Sequence, residues 1–189
     1  IKQVARPGMM GVEIGCYTGW TACQVLPTVK ENQGHYYVLD WFRGSVETYV
    51  GLWKWPDFDP GRVLIQTLKN FELGGFGDVV TVTIGRGADL ARIFPDQLAD
   101  YVYIGADHPN SQLKRDIETW LPLIRKGGIL CGHAFTKPIP PDSDTWKYLA
   151  EQPEMDFYHD HHVHFGVVRA VNELLPGFEV KETIWWKTI

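Results

Sequence analysis

The residues best placed to hold a ligand stand in the run Val12-Glu13-Ile14-Gly15-Cys16-Tyr17-Thr18-Gly19. An apolar stretch, residues 9–14, stops at Gly15, and helical spacing begins at Trp20. Glu-x-Gly-x-x-x-Gly therefore falls on a strand-to-helix turn, where glycines let the backbone approach a ligand closely. The free N–H groups at a helix start suit a carboxylate or a phosphate. The dinucleotide pattern Gly-x-Gly-x-x-Gly is not met, because Glu13 stands where its first glycine would be. The spacing speaks against NAD and FAD and suits a ligand with an amino-acid end. Glu13 can organise the ammonium side, and the amides of the loop through Gly15, Cys16, Tyr17 and Gly19 can meet the carboxylate.

Two further turns extend this reading. Asp40 closes a second apolar run, residues 36–39, where a carboxylate can accept both hydroxyls of a ribose; its other use is as a cap. Trp41 follows and offers a face to an adenine. Gly85-Arg86-Gly87-Ala88 ends a third run, residues 79–84, where an adenine edge would lie. An acid loop, a ribose acid and an adenine turn on three successive strands point to S-adenosylmethionine as cofactor. The expected cofactor-binding residues are Glu13, Gly15, Cys16, Tyr17, Gly19, Asp40, Trp41, Arg86 and Gly87.

The elements that must position them alternate along the chain. Apolar runs at 9–14, 36–39, 79–84, 101–104 and 128–131 are separated by helical spacing over 20–31, 63–71, 88–94 and 113–124. Pro27 is expected to kink the first helix, and Asn110 or Ser111 to cap the last. This alternation implies right-handed βαβ units and an α/β, doubly wound, Rossmann-like sheet, mostly parallel and covered on both faces. The ending differs: a helix over 167–175, a break at Pro176-Gly177, then strands over 179–182 and 184–187, an antiparallel pair added to the sheet. Without repeat or linker, residues 1–189 read as one domain.

Two connections are long. Residues 41–61 hold Trp41, Phe42, Tyr49, Trp53, Trp55 and Phe58, and residues 135–144 hold Pro138, Pro140 and Pro141. Both leave the carboxyl end of an expected parallel strand, the edge where such sheets bind ligands, so they read as lids or substrate walls. The other use open to the aromatics of 41–61 is a subunit contact, in a homo-oligomer or a larger assembly. Lys plus Arg is 18 against 23 Asp plus Glu, a net charge of −5 with no basic run, which argues against binding nucleic acid or an anionic membrane through bulk charge. No apolar run approaches the roughly 20 residues of a membrane span. Three cysteines without a Cys-x-x-Cys suit a reduced, cytoplasmic setting.

The chain resembles class I S-adenosylmethionine-dependent methyltransferases, and within them the small subgroup related to cephalosporin hydroxylase and macrocin O-methyltransferase. The matching pieces begin with residues 12–19 and Val38-Leu39-Asp40-Trp41 with Gly44-Ser45. Next come Asp100-Tyr-Val-Tyr-Ile-Gly-Ala-Asp-His108, Asp116-Ile-Glu-Thr-Trp-Leu-Pro122 and Gly127-Gly-Ile-Leu-Cys-Gly-His133. Gly166-Val-Val-Arg-Ala-Val-Asn-Glu173 and Trp185-Trp-Lys187 complete them. The resemblance implies strand order 3-2-1-4-5-7-6, with the inserted last strand antiparallel. It also implies a divalent metal held by aspartates at the ends of the fourth and fifth strands, in Ile-Asp-Ala-Asp-His and Gly-His-Asp. Here those positions are Gly105 and Ala134. A hard cation needs oxygen ligands with carboxylate charge, so no metal site of that type is expected. Asp107, His108 and His133 remain as candidate catalytic residues, His being suited to proton transfer near neutral pH; their alternative is a hydrogen-bonded scaffold. Arg86 stands where the family often has an acid facing the adenine amino group.

His159-Asp160-His161-His162-Val163-His164 holds four His and one Asp in six residues. It can be a transition-metal cluster, or a solvated turn lining the mouth of a site; its spacing matches no zinc framework. The leading functional expectation is a metal-independent O-methyltransferase acting on a small hydroxyl-bearing molecule such as a sugar or secondary metabolite. The alternative is a methyltransferase fold kept as a binding or structural module, with its eight Trp serving an interface.

Overall fold

The computed structural model describes residues 1–44, 58–136, 139–140, 142–151, 157–158 and 163–189, with the backbone alone at 157–158 and 163. The expected alternation is present. In chain order, β1 (Met10–Ile14), α1 (Trp20–Glu31), β2 (His35–Asp40), α2 (Pro60–Leu73) and β3 (Val80–Ile84) come first. Next are α3 (Gly87–Leu90), β4 (Ala99–Ile104), α4 (Asn110–Trp120), β5 (Ile124–Gly132) and α5 (Asp144–Ala150). A separate antiparallel pair, β6 (Phe157–Tyr158) and β7 (Val163–His164), precedes α6 (Phe165–Leu174), β8 (Glu179–Lys181) and β9 (Ile184–Thr188).

The main sheet runs β3-β2-β1-β4-β5-β9-β8. With β8 and β9 counted as its sixth and seventh strands, this is the expected order 3-2-1-4-5-7-6. β1 to β5 pair in parallel, whereas β9 runs antiparallel to both β5 and β8. The chain winds outward from β1 through β2 to β3, then crosses back to β4 on the other side of β1. That reversal opens a crevice at the carboxyl ends of β1 and β4, the usual ligand position in an open α/β sheet.

Successive side chains along a strand point to opposite faces, and β4 shows the consequence. Val102 and Ile104 join one apolar cluster, with Leu113, Ile117 and Trp120 of α4 and Val168 and Val171 of α6. Tyr101 and Tyr103 join the other, with Val25, Leu26 and Val29 of α1 and Phe71 of α2. The sheet is thus covered on both faces.

Local departures have local reasons. α1 spans Pro27 without ending there. α4 starts after Pro109 with no side-chain cap, and Asn110, expected as a cap, donates its amide N–H to the Gly166 carbonyl at 3.4 Å. The helical spacing over 88–94 and 113–124 resolves into short helix plus 3₁₀ turn, at Ala91–Ile93 and Leu121–Leu123. β5 begins four residues earlier than its apolar run, at Ile124, which is buried and pairs with Ala99 before a register shift; the polar Arg125 and Lys126 hide that start.

Candidate active site

A cavity of about 440 Å³ fills the crevice, within the roughly 300–1,000 Å³ of ordinary small-molecule sites. Its walls come from the ends of five strands: Gly15 and Tyr17 after β1, Asp40 and Trp41 at β2, residues 85–88 after β3, residues 105–108 after β4, and His133 after β5. Gln112, Arg115 and Asp116 of α4 and Phe58 and Val63 near the start of α2 add to them.

The turn after β1 is shaped by close approach. Gly15 has φ +78°, and a Cβ there would lie 2.6 Å from the Ala106 Cα, so no other residue fits without displacing the β4 loop. Asp40 braces the turn. Its Oδ2 accepts the N–H groups of Cys16 at 2.8 Å and Tyr17 at 3.0 Å, and its Oδ1 accepts that of Phe42 at 2.7 Å. The amides of Cys16 and Tyr17, expected to meet a ligand carboxylate, are therefore engaged by Asp40. From behind, Thr67 and Asn70 of α2 donate to the carbonyls of Tyr17 and Thr18 at 2.6 and 2.8 Å.

Of the expected cofactor residues, Gly15, Tyr17, Asp40, Trp41, Arg86 and Gly87 line the cavity, whereas Glu13, Cys16 and Gly19 do not. Strand alternation explains Glu13. It shares a face with Tyr36, whose hydroxyl donates to its Oε2 at 3.2 Å, and it is 1% exposed. Burial, with the Asp40 charge adding, pushes its carboxyl up to about 8 even though the Tyr36 bond opposes this. Burial, then the charges of Asp40 and Glu13, also push the Cys16 thiol far up, so it is a neutral thiol.

At the turn after β3, the Arg86 guanidinium lies 4.3 Å from the Trp41 ring centroid, a cation–π contact on the ring expected to cover an adenine. α4 holds this turn: the Trp120 indole N–H donates to the Gly87 carbonyl at 3.2 Å, and the Ala88 N–H favours the charged form of the Asp116 carboxyl. Residues 116 and 120 are four apart and so share one helix face. The Asp116 carboxyl is pushed up to about 7, first by burial and then by the charge of Asp107, against the pull of Arg115.

At the other end, all three expected catalytic residues, Asp107, His108 and His133, line the cavity. The Nε2 atoms of His108 and His133 lie 3.2 Å apart. The His133 ring stacks on Tyr103 with centroids 6.0 Å apart and planes 9° apart, and the Trp185 indole N–H of β9 holds its carbonyl at 3.2 Å. His164, from the histidine-rich run, brings its ring centroid to 4.5 Å from that of His108; residues 159–162 of that run lie outside the described residues. Sequence reasoning also missed Gln112, Arg115 and Asp116. The helical spacing over 113–124, which includes 115 and 116, was visible, but not that this face would meet the crevice.

The donor set does not fit a hard cation. Gly105 and Ala134 carry no ligand atoms on their side chains, and a Cβ on Gly105 would lie 2.9 Å from the Tyr103 ring and 3.0 Å from the Gly15 carbonyl oxygen. Among the described residues no group of three or more His, Cys, Asp or Glu is arranged to hold a metal ion. Among them, too, no helix is long and apolar enough to cross a membrane.

A seven-stranded sheet of this order, with its antiparallel insertion and a crevice at the switch point, defines a class I, Rossmann-like methyltransferase fold. Residues 12–135 match the profile of the methyltransferase domain family. The chain belongs to that family, and the cofactor of this class is S-adenosylmethionine. Solved structures agree on the fold. An S-adenosylhomocysteine-bound methyltransferase from Podospora anserina is 14% identical, with TM-score 0.59 over 94% of this chain and 70% of that one. An O-methyltransferase of tomaymycin synthesis from Streptomyces achromogenes, in complex with S-adenosylmethionine, is 14% identical with TM-score 0.61 over 98% and 74%. A precorrin 8w decarboxylase from Methanobacterium thermoautotrophicum is also 14% identical, with TM-score 0.56 over 99% and 85%.

Proposed function

We propose that this domain, residues 1–189, transfers a methyl group from S-adenosylmethionine to a hydroxyl of a small molecule, a sugar or a secondary metabolite, without a divalent metal. The observation that carries the reading is one cavity faced by Asp40, by the turn after β3 and by the His108–His133 pair. Bound S-adenosylmethionine supplies an electrophilic sulfonium methyl, and the protein's part is mainly alignment. Gly15 and Tyr17 wall the methionine end. Asp40 Oδ1 holds the Phe42 N–H and, as a carboxylate oxygen, has a further lone pair for a ribose hydroxyl. Trp41, Arg86 and Gly87 bound the adenine side. Glu13, Cys16 and Gly19 act behind this surface, by shaping the turn.

Only one proton fits between the facing Nε2 atoms of His108 and His133, so one imidazole donates and the other accepts. A substrate hydroxyl that takes the donor's place meets the accepting lone pair and gives its proton to that nitrogen, leaving the oxygen nucleophilic. Asp107, next in the chain to His108, lines the same cavity. The acceptor lies over residues 105–108 between the 41–61 and 135–144 connections, of which residues 45–57, 137–138 and 141 lie outside the described residues. The O-methyltransferase likeness from Streptomyces achromogenes supports oxygen as the acceptor atom. Three free thiols, Cys16, Cys23 and Cys131, suit the cytoplasm.

Titration calorimetry with S-adenosylhomocysteine, followed by methylation of hydroxyl-bearing sugars with and without a chelator, tests the proposal. Binding and chelator-resistant transfer are expected. Activity lost to the chelator and restored by Mg²⁺ would overturn metal independence. Neither heat nor thermal shift at millimolar ligand would leave the fold as a binding module.

A further inference from the structure

An adenine presents its exocyclic amino group as a hydrogen-bond donor, so a pocket that selects adenine needs an acceptor at that edge. The cationic Arg86 at the turn after β3 has none and lies over Trp41. Three carboxylates line the cavity among the described residues: Asp40, Asp107 and Asp116. Asp40 is committed to the amides of Cys16, Tyr17 and Phe42, and Asp107 directly precedes His108 in the chain. Asp116 lines the cavity at 8% exposure, close enough to the turn after β3 for the Ala88 N–H to favour its charged form. Trp120, one turn later on α4, fixes the neighbouring Gly87 carbonyl. The acid therefore faces the cavity from the same α4 face that anchors the turn.

We infer that Asp116 is the adenine-reading residue of this site, accepting the exocyclic N–H from α4 in place of an acid on the turn itself. This rests on the adenosyl group occupying the crevice as proposed above. A carboxylate has four lone-pair positions, so the Ala88 N–H leaves acceptor capacity for the ligand. An ionised Asp116 repels a 6-oxo purine, whose O6 is an acceptor, and a site built to bond a ligand N–H discriminates strongly against the analogue lacking it. Burial and the nearby Asp107 raise the Asp116 carboxyl, with Arg115 opposing and Asp89 adding a weaker push upward. An N–H donor from the ligand favours its charged form.

The test measures binding of S-adenosylhomocysteine and of its deaminated analogue, S-inosylhomocysteine, to the whole chain and to Asp116→Asn. Wild type should prefer the adenine ligand by about tenfold or more, the scale of one charged hydrogen bond. Asp116→Asn keeps an oxygen for the Ala88 N–H but adds an amide donor that can meet O6, so the preference should fall to about unity or reverse. A merely structural role would weaken both ligands together and leave the ratio unchanged; that result overturns the inference. Equal binding of both ligands to wild type overturns it without any variant, so the inference stays refutable even where the substitution prevents folding. Binding of neither ligand to wild type overturns the cofactor placement itself, and this inference with it.

Discussion

Asp40 joins two tasks in one carboxylate, bracing the turn after β1 and facing the cavity. Asp40→Ala frees the amides of Cys16, Tyr17 and Phe42 as well as removing an acceptor, so S-adenosylhomocysteine affinity should fall by about tenfold to a hundredfold, as charged hydrogen bonds imply; unchanged calorimetric affinity would refute the assignment. For the histidine pair, His133→Asn or His108→Asn should lower kcat by about 10² to 10⁴ with cofactor affinity nearly constant, the scale of general-base loss. A change confined to KM would speak for a scaffold role instead. Glu13 makes a prediction in pH. Its carboxyl moves from an ordinary 4.5 to about 8 on folding. Between those values the folded chain binds more protons than the unfolded one, so stability falls as pH rises through this window. Glu13→Gln abolishes that loss. Denaturant melts should show the variant gaining on wild type from pH 5 to pH 8, reaching on the order of a few kcal/mol; a gap that does not widen with pH would refute it.

The elements show how local patterns became a site. α4 was legible as a helix from its spacing, yet its work is done by the face that carries Gln112, Asp116 and Trp120. Trp120→Phe removes the N–H that holds the Gly87 carbonyl while keeping most of the packing. A loss of about 1–3 kcal/mol is expected from the buried carbonyl left unsatisfied, with cofactor affinity weakened several-fold as the turn loosens. Thermal unfolding and calorimetry together would show both; full stability with intact affinity would mean that the bond contributes nothing. Where the turns after β1 and β4 meet, a Cβ at 105 would crowd the Tyr103 ring and the Gly15 carbonyl, so a side chain there forces its neighbours to shift. Gly105→Asp, which restores the acid of the resembling subgroup, should lower Tm and confer no Mg²⁺ dependence. Mg²⁺-stimulated turnover at an unchanged Tm would contradict the close packing of Gly105 on the Gly15 carbonyl.

At the scale of the whole molecule, the cavity draws on the ends of five parallel strands, so a ligand there ties together both halves of the sheet. Saturating S-adenosylhomocysteine at about 100 times Kd should stabilise the fold by about 2.7 kcal/mol. For a domain of this size that corresponds to a Tm rise of roughly 5–10 °C. A shift that ignores ligand concentration would place the ligand elsewhere.

The residue order by itself determined the α/β alternation, the mostly parallel sheet with its antiparallel ending, and the turns at Gly15, Asp40 and Gly87 that line the cavity. Each rests on a local period or on turn chemistry, which short segments carry without help. The start of β5 escaped because Arg125 and Lys126 break its apolar run, and the cap of α4 because Asn110 spends its amide on α6 instead. Only the tertiary structure decided which face of β1 Glu13 occupies. A two-residue period gives alternation but not which side is the crevice. It also decided that His164 meets His108 and that Asp116 meets Ala88, since both depend on where a distant element docks against the sheet. Such contacts between residues far apart in the chain are set by packing of whole faces, and no spacing within one segment encodes them.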